Sequence, residues 1–443
     1  MLRAAALLIA AALLSPCASA LSACRAAVLD ADGRLLCTRT VPGGAAVAGQ
    51  PWERKQDARG IEHAALSLLD GLLQEFPDIG CVGLTGQMHG IVYVDAAGQL
   101  LSPLYTWQDE TGAQPGPDGK STAARLTART GYPLASGYGL VTLACHQAAG
   151  TIPNGAAAVC TIADYLAMRL SGRTAPCLTP SMAASLGLFD GTDFDREAVR
   201  RAGLPERLLP EVSEKAELTG DRLRVFAALG DNQASFLGAG QGRLDAPLVN
   251  IGTGSQFSFF TKERRTVPGL ETRPFPGGWL LTGAPLCGGR SFALLERFFR
   301  QTAELVTGTP CPSAYPAMLR ALEAPMPDDV PQFRTTFAGT RQDPAERAVL
   351  SGLDEENFAP VPLLHALLRG MADELSACYR AALKAGCAPA GRLLGSGNGL
   401  RRNPALQRAV ERSFGLPLTL AAVPEEAACG AALFTRMQHE AAL

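Results

Sequence analysis

A glycine-rich turn inside an apolar run most constrains how this chain folds. The turn is Gly252-Thr253-Gly254-Ser255, and the surrounding apolar run covers residues 246–260. This pattern predicts two strands joined by a tight turn. Because glycine has no β-carbon, backbone N–H groups in such a turn can approach phosphate oxygens closely. A tight hairpin alone also needs one or two glycines. Taken by itself, the turn therefore leaves both a phosphate site and a plain hairpin open.

A second glycine-rich turn lies at residues 395–398, directly after the short apolar run 393–394. It is followed by Asn403-Pro404, a pair typical of the start of a helix. A small, glycine-lined surface can accept a flat purine ring. An ordinary connection between a strand and a helix has the same composition, so this turn also leaves two interpretations open.

An aspartate, Asp231, follows the strand-like run 225–229 and Gly230. A carboxylate opposite a phosphate-binding turn can accept the proton of an attacking hydroxyl group. An aspartate at a junction between a strand and a helix is also a common helix cap. Only the combination of Asp231 with the two glycine-rich turns predicts a general base, and it points to phosphoryl transfer from a nucleotide.

Two polar segments follow strand-like runs in the first half of the chain. They are Gln87-Met88-His89 and Trp107-Gln108-Asp109. An indole face together with several planar hydrogen-bonding side chains suits a polyhydroxylated ligand such as a sugar. Taken singly, His89 is more often structural, and Trp107 is more often part of a core.

Length and charge limit the class of protein further. A chain of 443 residues predicts two domains, which we place at 1–240 and 241–443. A hydrophobic fraction of 47% allows large cores, and a net charge of −2 gives no indication of nucleic-acid or stable membrane binding. The twelve cysteines contain no Cys-x-x-Cys pair, which favours buried thiols in a reducing compartment over a disulfide framework.

Strand-like and helix-like segments alternate along the chain, which predicts an α/β fold. A strand hairpin is expected at 25–41, and a further strand at 81–85. Long helices are expected near 60–76, 291–307 and 361–385. Each half begins with a hairpin and ends in helices, as two related lobes would.

Five segments resemble the motifs of FGGY-type carbohydrate kinases and occur in the same order. They are residues 83–90, 106–109, 229–235, 250–255 and 395–398. The resemblance extends from Arg25 to residues 425–432, and within the family it is strongest to the branch that phosphorylates sedoheptulose. Each motif alone is weakly specific, but five in order form a strong signal.

The resemblance implies two actin-like, ribonuclease-H-like lobes with a central active-site cleft. It implies ATP and Mg²⁺ as cofactors and phosphorylation of a ketose at its terminal hydroxyl, converting sedoheptulose to sedoheptulose 7-phosphate. Asp231 would be the catalytic base. The sugar would contact Gln87, Met88, His89, Trp107, Gln108 and Asp109. ATP would contact Gly252, Thr253, Gly254, Ser255, Gly395, Ser396, Gly397, Asn398 and Asn403.

The start of the chain departs from the family pattern. Family members begin with an Asp-x-Gly-Thr turn near the metal, whereas residues 17–24 contain neither Asp nor Gly. Met1-Leu2-Arg3, an apolar run over 4–14 and Ala18-Ser19-Ala20 together resemble a secretory signal peptide, and the run is too short to span a membrane. Three explanations are open. The start of the sequence is not the native one, or the protein is a divergent or inactive relative, or the segment is a true signal peptide.

These alternatives affect the predicted function. No metal ligand is assigned, and the oligomeric state is left open. We expect a cytoplasmic location, because a sugar kinase outside the cytoplasm would lack ATP. The other hypotheses are a xylulokinase-like pentulose kinase and a catalytically impaired pseudokinase that binds sugar or nucleotide.

Overall fold

The computed structural model divides the chain into two compact units. The first comprises Met1–Gly242 together with Val423–Leu443, and the second comprises Arg243–Ala422. The residues that the structure describes are 3–10, 23–213, 217–219, 223–285, 288–340, 343, 345–423 and 425–441.

A mixed sheet forms the centre of the first unit. The strands of this unit are β1 (Arg3–Ala10), β2 (Ala23–Leu29), β3 (Leu35–Pro42), β4 (Ala46–Val47), β5 (Lys55–Gln56), β6 (Ile79–Gly86), β7 (Val92–Val94), β8 (Leu104–Tyr105), β9 (Ala158–Cys160), β10 (Cys177–Leu178), β11 (Glu211–Val212), β12 (Glu217–Thr219), β13 (Arg224–Phe226) and β14 (Leu229–Gly230). The order in the main sheet is β12-β13-β6-β1-β2-β3, and β14 also pairs with β6.

Strand direction in this sheet brings several strand ends to one edge. β2 is antiparallel to both β1 and β3, which confirms the predicted hairpin. β6 is parallel to β1, β13 and β14. Val82 and Leu84 of β6 are fully buried, as expected for a parallel strand covered on both faces. The carboxyl ends of β6, β13 and β14 therefore lie at the same edge.

The first unit also contains helices, some of which pack against this sheet. They are α1 (Ala58–Glu75), α2 (Thr122–Thr130), α3 (Gly139–Ala149), α4 (Ile162–Leu170), α5 (Pro180–Leu186), α6 (Arg196–Ala202) and α7 (Asp231–Ala239), with short 3₁₀ turns at Thr111–Ala113 and Glu206–Leu208. α1 begins where the Asp57 carboxylate accepts the Arg59 N–H. Its buried residues Ile61, Leu68 and Leu72 recur at helical spacing and face the core.

The second unit has its own sheet and core. Its strands are β15 (Leu248–Ile251), β16 (Ser255–Thr261), β17 (Glu271–Phe275), β18 (Gly278–Gly283), β19 (Gln332–Arg334), β20 (Val349–Ser351), β21 (Leu393–Ser396) and β22 (Leu418–Leu420). Its helices are α8 (Gly289–Thr307), α9 (Tyr315–Ala321), α10 (Pro360–Lys384), α11 (Asn398–Arg401) and α12 (Pro404–Phe414). Tyr379 of α10 packs edge-on against Phe259 with ring centroids 5.7 Å apart, and also contacts Phe257 and Phe414.

The two central sheets share one topology. The order β3-β2-β1-β6-β13 in the first unit corresponds to β18-β16-β15-β21-β22 in the second. Each series has two antiparallel pairs followed by two parallel pairs. This repetition confirms the α/β class and the two related lobes predicted from the sequence.

The last helix, α13 (Glu426–Ala441), packs in the first unit although it follows the second in the chain. A β-carbon at Gly238 would overlap the Glu426 carbonyl oxygen, and one at Gly430 would overlap the Ala234 carbonyl oxygen. Glycine on both helices thus allows α7 and α13 to touch through their backbones. The boundary expected between residues 240 and 241 falls two residues before the observed one. The sequence also assigned residues 423–443 to the second domain, whereas the structure places them in the first unit.

The connection between β1 and β2 is the counterpart of the Gly252–Gly254 turn. It comprises residues 11–22 and lies outside the described residues, so most of the 17–24 stretch singled out in the sequence lies there too. Among the described residues, no helix is long and apolar enough to cross a membrane. The described cysteines are all free thiols, and Cys24, Cys81 and Cys160 are buried, as the composition predicts.

Candidate active site

A candidate site in the first unit lies where β6 and β14 end. Leu229 and Gly230 of β14 pair in parallel with Thr85 and Gly86 of β6. Asp231 follows β14 at once as the first residue of α7. In α/β proteins, ligands bind at the carboxyl ends of parallel strands. The register therefore puts Asp231 and the residues that follow β6 at one edge of the sheet.

Asp231 is half-buried at the start of a helix. A negative charge is favoured there, because the helix N-terminus carries partial positive charge. The preceding residue must be small: a β-carbon at Gly230 would lie 2.8 Å from the Met88 sulfur and 2.5 Å from the Gln233 Oε1 atom. The glycine thus allows Met88 to pack directly beside the residue that carries the carboxylate.

Gln87 is the first residue after β6, and only 3% of its surface is exposed. Its Nε2 atom donates a hydrogen bond of 3.2 Å to Oε1 of Gln56. Its own Oε1 atom is buried and has no hydrogen-bond partner among the described residues. Because buried polar groups are nearly always paired, this atom is a candidate acceptor for a ligand hydroxyl.

His89 is held in one orientation. Its backbone has a φ of 73°, which is uncommon for a residue other than glycine. Its ring stacks on Tyr138, with centroids 4.6 Å apart, and Nδ1 lies 2.6 Å from the Ser185 carbonyl oxygen. The backbone N–H also donates to Ser185 Oγ at 3.1 Å. Because the carbonyl can only accept, Nδ1 carries the proton and the imidazole is fixed in position.

Trp107, Gln108 and Asp109 occupy different environments although they are consecutive. Trp107 is 38% exposed and Gln108 is half-buried, whereas Asp109 is 2% exposed. The two carboxylate oxygens of Asp109 accept the N–H groups of Arg54 and Thr111, each at 3.0 Å. The Asp109 carboxylate therefore ties two loops together, whereas Trp107 presents its indole to solvent.

Close backbone contacts join these segments. A β-carbon at Gly90 would lie 2.6 Å from the Tyr105 carbonyl oxygen, and one at Gly137 would overlap the Trp107 carbonyl oxygen. One at Gly139 would lie 3.0 Å from the His89 carbonyl oxygen. The residues predicted to contact a sugar are therefore brought together within the first unit. Their assignment as sugar contacts stays a prediction.

A separate candidate site, in the second unit, is the turn between β15 and β16. The N–H groups of Gly289 and Arg290, at the start of α8, donate to the carbonyl oxygens of Gly252 and Thr253 at 2.9 and 3.0 Å. Thr253 and Gly254 are exposed. In the described part of the chain, their own N–H groups have no acceptor. The start of α8 therefore donates to the turn carbonyls, and these two N–H groups stay available for another acceptor.

The outer face of this turn is open. β-Carbons at Gly252 and Gly254 would meet no atom within 4 Å. Available N–H groups on an exposed turn without side-chain obstruction fit phosphate oxygens. Ser255 differs from its neighbours, because it is buried and its hydroxyl donates to the Pro285 carbonyl oxygen at 3.3 Å.

The second glycine-rich turn lies against the first. Gly395 and Ser396 end β21 as buried residues, and Gly397 has a φ of 87°. A β-carbon at Gly397 would overlap the carbonyl oxygen of Ile251, the residue before Gly252. The two turns predicted to bind nucleotide are therefore neighbours in the second unit.

Asn398 and Asn403 lie at two different helix starts. Asn398 is exposed as the first residue of α11. Asn403 caps α12, where its Oδ1 atom accepts the Leu406 N–H at 3.1 Å. Capping accounts for the Asn403 side chain, and contacts of either residue with a nucleotide stay predictions.

Sequence reasoning missed several residues of this region. Gln56, Tyr138 and Ser185 contact the predicted sugar residues from segments distant in sequence. Gly288 packs on Gly254, since a β-carbon there would lie 2.5 Å from the Gly254 carbonyl carbon. The Gly288-Gly289 pair was a visible signal for such close approach, whereas the other three residues belong to no recognisable motif.

Acidic, histidine and cysteine side chains do not cluster in the described residues in any group of three that could hold a metal. Magnesium bound with a nucleotide takes many of its ligands from phosphates and water. Its binding therefore does not depend on such a cluster.

Solved structures share this fold. A xylulose kinase from Lactobacillus acidophilus aligns with a TM-score of 0.81 at 16% identity, covering 100% of this chain and 90% of that one. A xylulose kinase from Rhodospirillum rubrum aligns with a TM-score of 0.78 at 21% identity, covering 97% and 88%. At these identities the similarity shows the fold alone, a two-domain α/β architecture.

Sequence comparison identifies the family. Residues 21–241 match the N-terminal domain of the FGGY family of carbohydrate kinases, and residues 248–439 match its C-terminal domain. The chain therefore belongs to the FGGY family of carbohydrate kinases, and it is a sugar kinase.

Curated relatives are similar over most of the chain. The sedoheptulokinase of Mus musculus is 28% identical over 438 residues, which cover 88% of this chain and 87% of the mouse protein. The xylulose kinase of Streptomyces coelicolor is 26% identical over 382 residues, covering 80% and 73%.

Proposed function

We propose that this kinase transfers the γ-phosphoryl group of ATP to the terminal hydroxyl of sedoheptulose, giving sedoheptulose 7-phosphate. The observation that carries the proposal is the pairing of β14 with β6, in which Gly230 pairs with Gly86. Asp231 and Gln87 directly follow the paired residues, so a candidate base lies beside hydrogen-bonding side chains that suit a sugar. The similarity to a sedoheptulokinase supports the choice of ketose.

The first unit binds the ketose in this proposal. Gln87, His89 and Gln108 offer amide and imidazole groups for hydroxyls, and Trp107 offers an apolar face. Met88 packs beside Gly230 and shapes the wall next to the base. Asp109 acts mainly by holding the loop that carries Trp107 and Gln108, through its bonds to Arg54 and Thr111.

The second unit binds the nucleotide. The N–H groups of the exposed residues Thr253 and Gly254 suit phosphate oxygens, and the neighbouring turn at residues 395–398 suits the adenosine. ATP, bound with Mg²⁺, supplies the phosphoryl group and the neutralisation of its charge. These roles agree with the openness of Gly252 and Gly254, where a β-carbon would meet nothing within 4 Å.

Asp231 accepts the proton during transfer. The hydroxyl oxygen of the ketose bonds to the γ-phosphorus, the bond from that phosphorus to the bridging oxygen breaks, and ADP leaves. The hydroxyl proton passes to the Asp231 carboxylate, which the start of α7 favours in its charged form. Because the reaction consumes ATP, we also propose a cytoplasmic location.

A second candidate is phosphorylation of a pentulose. Several xylulose kinases are similar to this chain, including one from Klebsiella pneumoniae at 23% identity over 331 residues. The sugar-binding residues proposed here suit hydroxyls of either sugar, so a direct comparison of substrates decides between them.

The test is ADP release with ATP, Mg²⁺ and ketoses or polyols of seven, five and three carbons. We expect kcat/KM to be highest for sedoheptulose, and a higher value for xylulose would select the second candidate. Asp231→Asn should lower kcat by about 10²-fold or more while the melting temperature is kept. Exposed Asp70 provides the matched control, Asp70→Asn, which should leave both unchanged. Full turnover by Asp231→Asn would refute the assigned base.

A further inference from the structure

We propose that Gln56 is a positioning residue that sets which end of the Gln87 amide meets the sugar. This inference rests on the proposed function, because it concerns the ketose site. Gln56 directs the Gln87 carbonyl oxygen toward the substrate, so that the site offers a hydrogen-bond acceptor there and binds a ketose hydroxyl as the donor.

The hydrogen bond between the two amides is the first step of the argument. Gln87 Nε2 donates to Gln56 Oε1 at 3.2 Å, and this bond joins residues 31 positions apart. An amide side chain has one donor end and one acceptor end. Because Gln56 occupies the donor end of Gln87, the acceptor end is left for another group.

The state of that acceptor end is the second step. Gln87 Oε1 is buried without a hydrogen-bond partner among the described residues, and the residue as a whole is 3% exposed. A buried acceptor without a partner costs free energy, so native proteins rarely keep one without a function. Gln87 directly follows β6, at the sheet edge that also carries Asp231. A bound hydroxyl at this edge would satisfy the atom.

The backbone around Gln56 is held by a strand pair at Gln56 itself and by a helix start at the next residue. Gln56 lies in β5 and pairs with Leu104 of β8, in the loop system that leads to Trp107. The next residue, Asp57, caps α1 by accepting the Arg59 N–H at 3.1 Å. A residue whose backbone is held between a strand pair and a helix start can present its side chain to a neighbour in one position.

The opposite orientation makes a distinct prediction. If both amides were turned over, Gln56 would donate and Gln87 would present its NH₂ group to the sugar instead. A glutamate at position 56 can only accept, so it enforces the proposed orientation. A lysine there can only donate, so it enforces the other one.

The experiment compares Gln56→Glu, Gln56→Leu and Gln56→Lys with the unmodified enzyme. The readouts are KM for the ketose, kcat, KM for ATP, and ketose binding by calorimetry without nucleotide. We expect Gln56→Glu to keep ketose binding within about twofold. Gln56→Leu should weaken ketose binding by about tenfold, the worth of one hydrogen bond, and Gln56→Lys should weaken it at least as much. KM for ATP should stay unchanged in all three.

Controls separate this role from a structural one. Gln99→Leu changes an exposed glutamine of the same unit and should alter no readout. Melting temperatures identify any variant that has lost its fold. A loss of fold by Gln56→Leu does not remove the test, because Gln56→Glu and Gln56→Lys still make opposite predictions.

Two results would overturn the inference. One is unchanged ketose binding in both Gln56→Leu and Gln56→Lys, and the other is tighter binding by Gln56→Lys than by Gln56→Glu. Turnover by the unmodified enzyme tests the proposed function separately. If the unmodified enzyme binds ketose but shows no turnover, calorimetry still decides the role of Gln56. If it binds no ketose, both proposals are refuted.

Discussion

The Asp109 carboxylate accepts a hydrogen bond of 3.0 Å from the backbone N–H of Arg54, which lies 55 residues earlier in the chain. Its other oxygen accepts the Thr111 N–H at the same distance. The residue is buried, and its two oxygens supply one acceptor for each of these backbone N–H groups. This arrangement makes Asp109 a brace between the segment 50–57 and the loop that carries Trp107.

Asp109→Asn should therefore destabilise the first unit. An asparagine has one acceptor oxygen instead of two, and it places an NH₂ group against a backbone N–H. We expect a loss of about 1–3 kcal/mol in the free energy of unfolding, measured by urea denaturation. Asp70→Asn, at an exposed position of α1, is the control and should change it by less than about 0.5 kcal/mol. Equal stability of the two variants would contradict the bracing role.

The glycines around the turn at residues 252–255, where we propose that phosphate binds, allow a test that separates binding from folding. A β-carbon at Gly254 would meet no atom within 4 Å, so Gly254→Ala should leave the melting temperature of the free protein unchanged. In the proposed site, the added methyl group would lie on the face that the phosphate oxygens approach. We expect the thermal stabilisation by ATP to fall and KM for ATP to rise about tenfold or more.

Gly288→Ala is the comparison for that experiment. Gly288 has a φ of 143°, and a β-carbon there would lie 2.5 Å from the Gly254 carbonyl carbon. This variant should lose stability even without nucleotide, by about 1–3 kcal/mol, because its backbone conformation is strained for any other residue. Normal nucleotide binding by Gly254→Ala would remove the turn from the proposed site.

Local patterns predicted the elements that carry the candidate site. Alternating strands and helices, and polar residues at strand ends, led to the α/β class and to segments that the structure places together, such as Gln87 and Asp231 at one sheet edge. These predictions succeeded because strand ends and glycine-rich turns each have a characteristic pattern of neighbouring residues. The Gly252 and Gly397 turns also lie side by side, although the sequence could only suggest each one separately.

Long-range packing explains what the sequence did not reveal. The return of α13 to the first unit depends on Gly238 and Gly430 meeting across almost 200 residues, and no local period encodes that contact. The hydrogen bond from Gln87 to Gln56 likewise joins two amides that belong to different motifs. Asn403 shows the reverse case, since the cap predicted from the sequence is the bond that its Oδ1 atom makes to the Leu406 N–H.

Asp164 in α4 should give the first unit a measurable dependence on pH. The residue is fully buried, and burial raises the pKa of its carboxyl group to about 8. Its Oδ2 atom accepts the Thr161 hydroxyl at 2.6 Å, while Oδ1 has no hydrogen-bond partner among the described residues. A carboxyl group in this setting is protonated in the folded protein at neutral pH, because its charged form would lie in an apolar environment.

The sign of the effect follows from proton binding. Unfolded, the carboxyl group has a pKa of about 3.9, so between about pH 4 and pH 8 the folded state holds a proton that the unfolded state has released. The contribution of Asp164 to stability therefore falls as the pH rises through this window and is constant above it. Asp164→Asn keeps an acceptor for Thr161 and removes the titration. Urea denaturation at pH 5 and pH 8 should show the unmodified protein losing stability relative to Asp164→Asn at the higher pH. A constant difference between the two proteins across this range would mean that the carboxyl group is already ionised in the folded state.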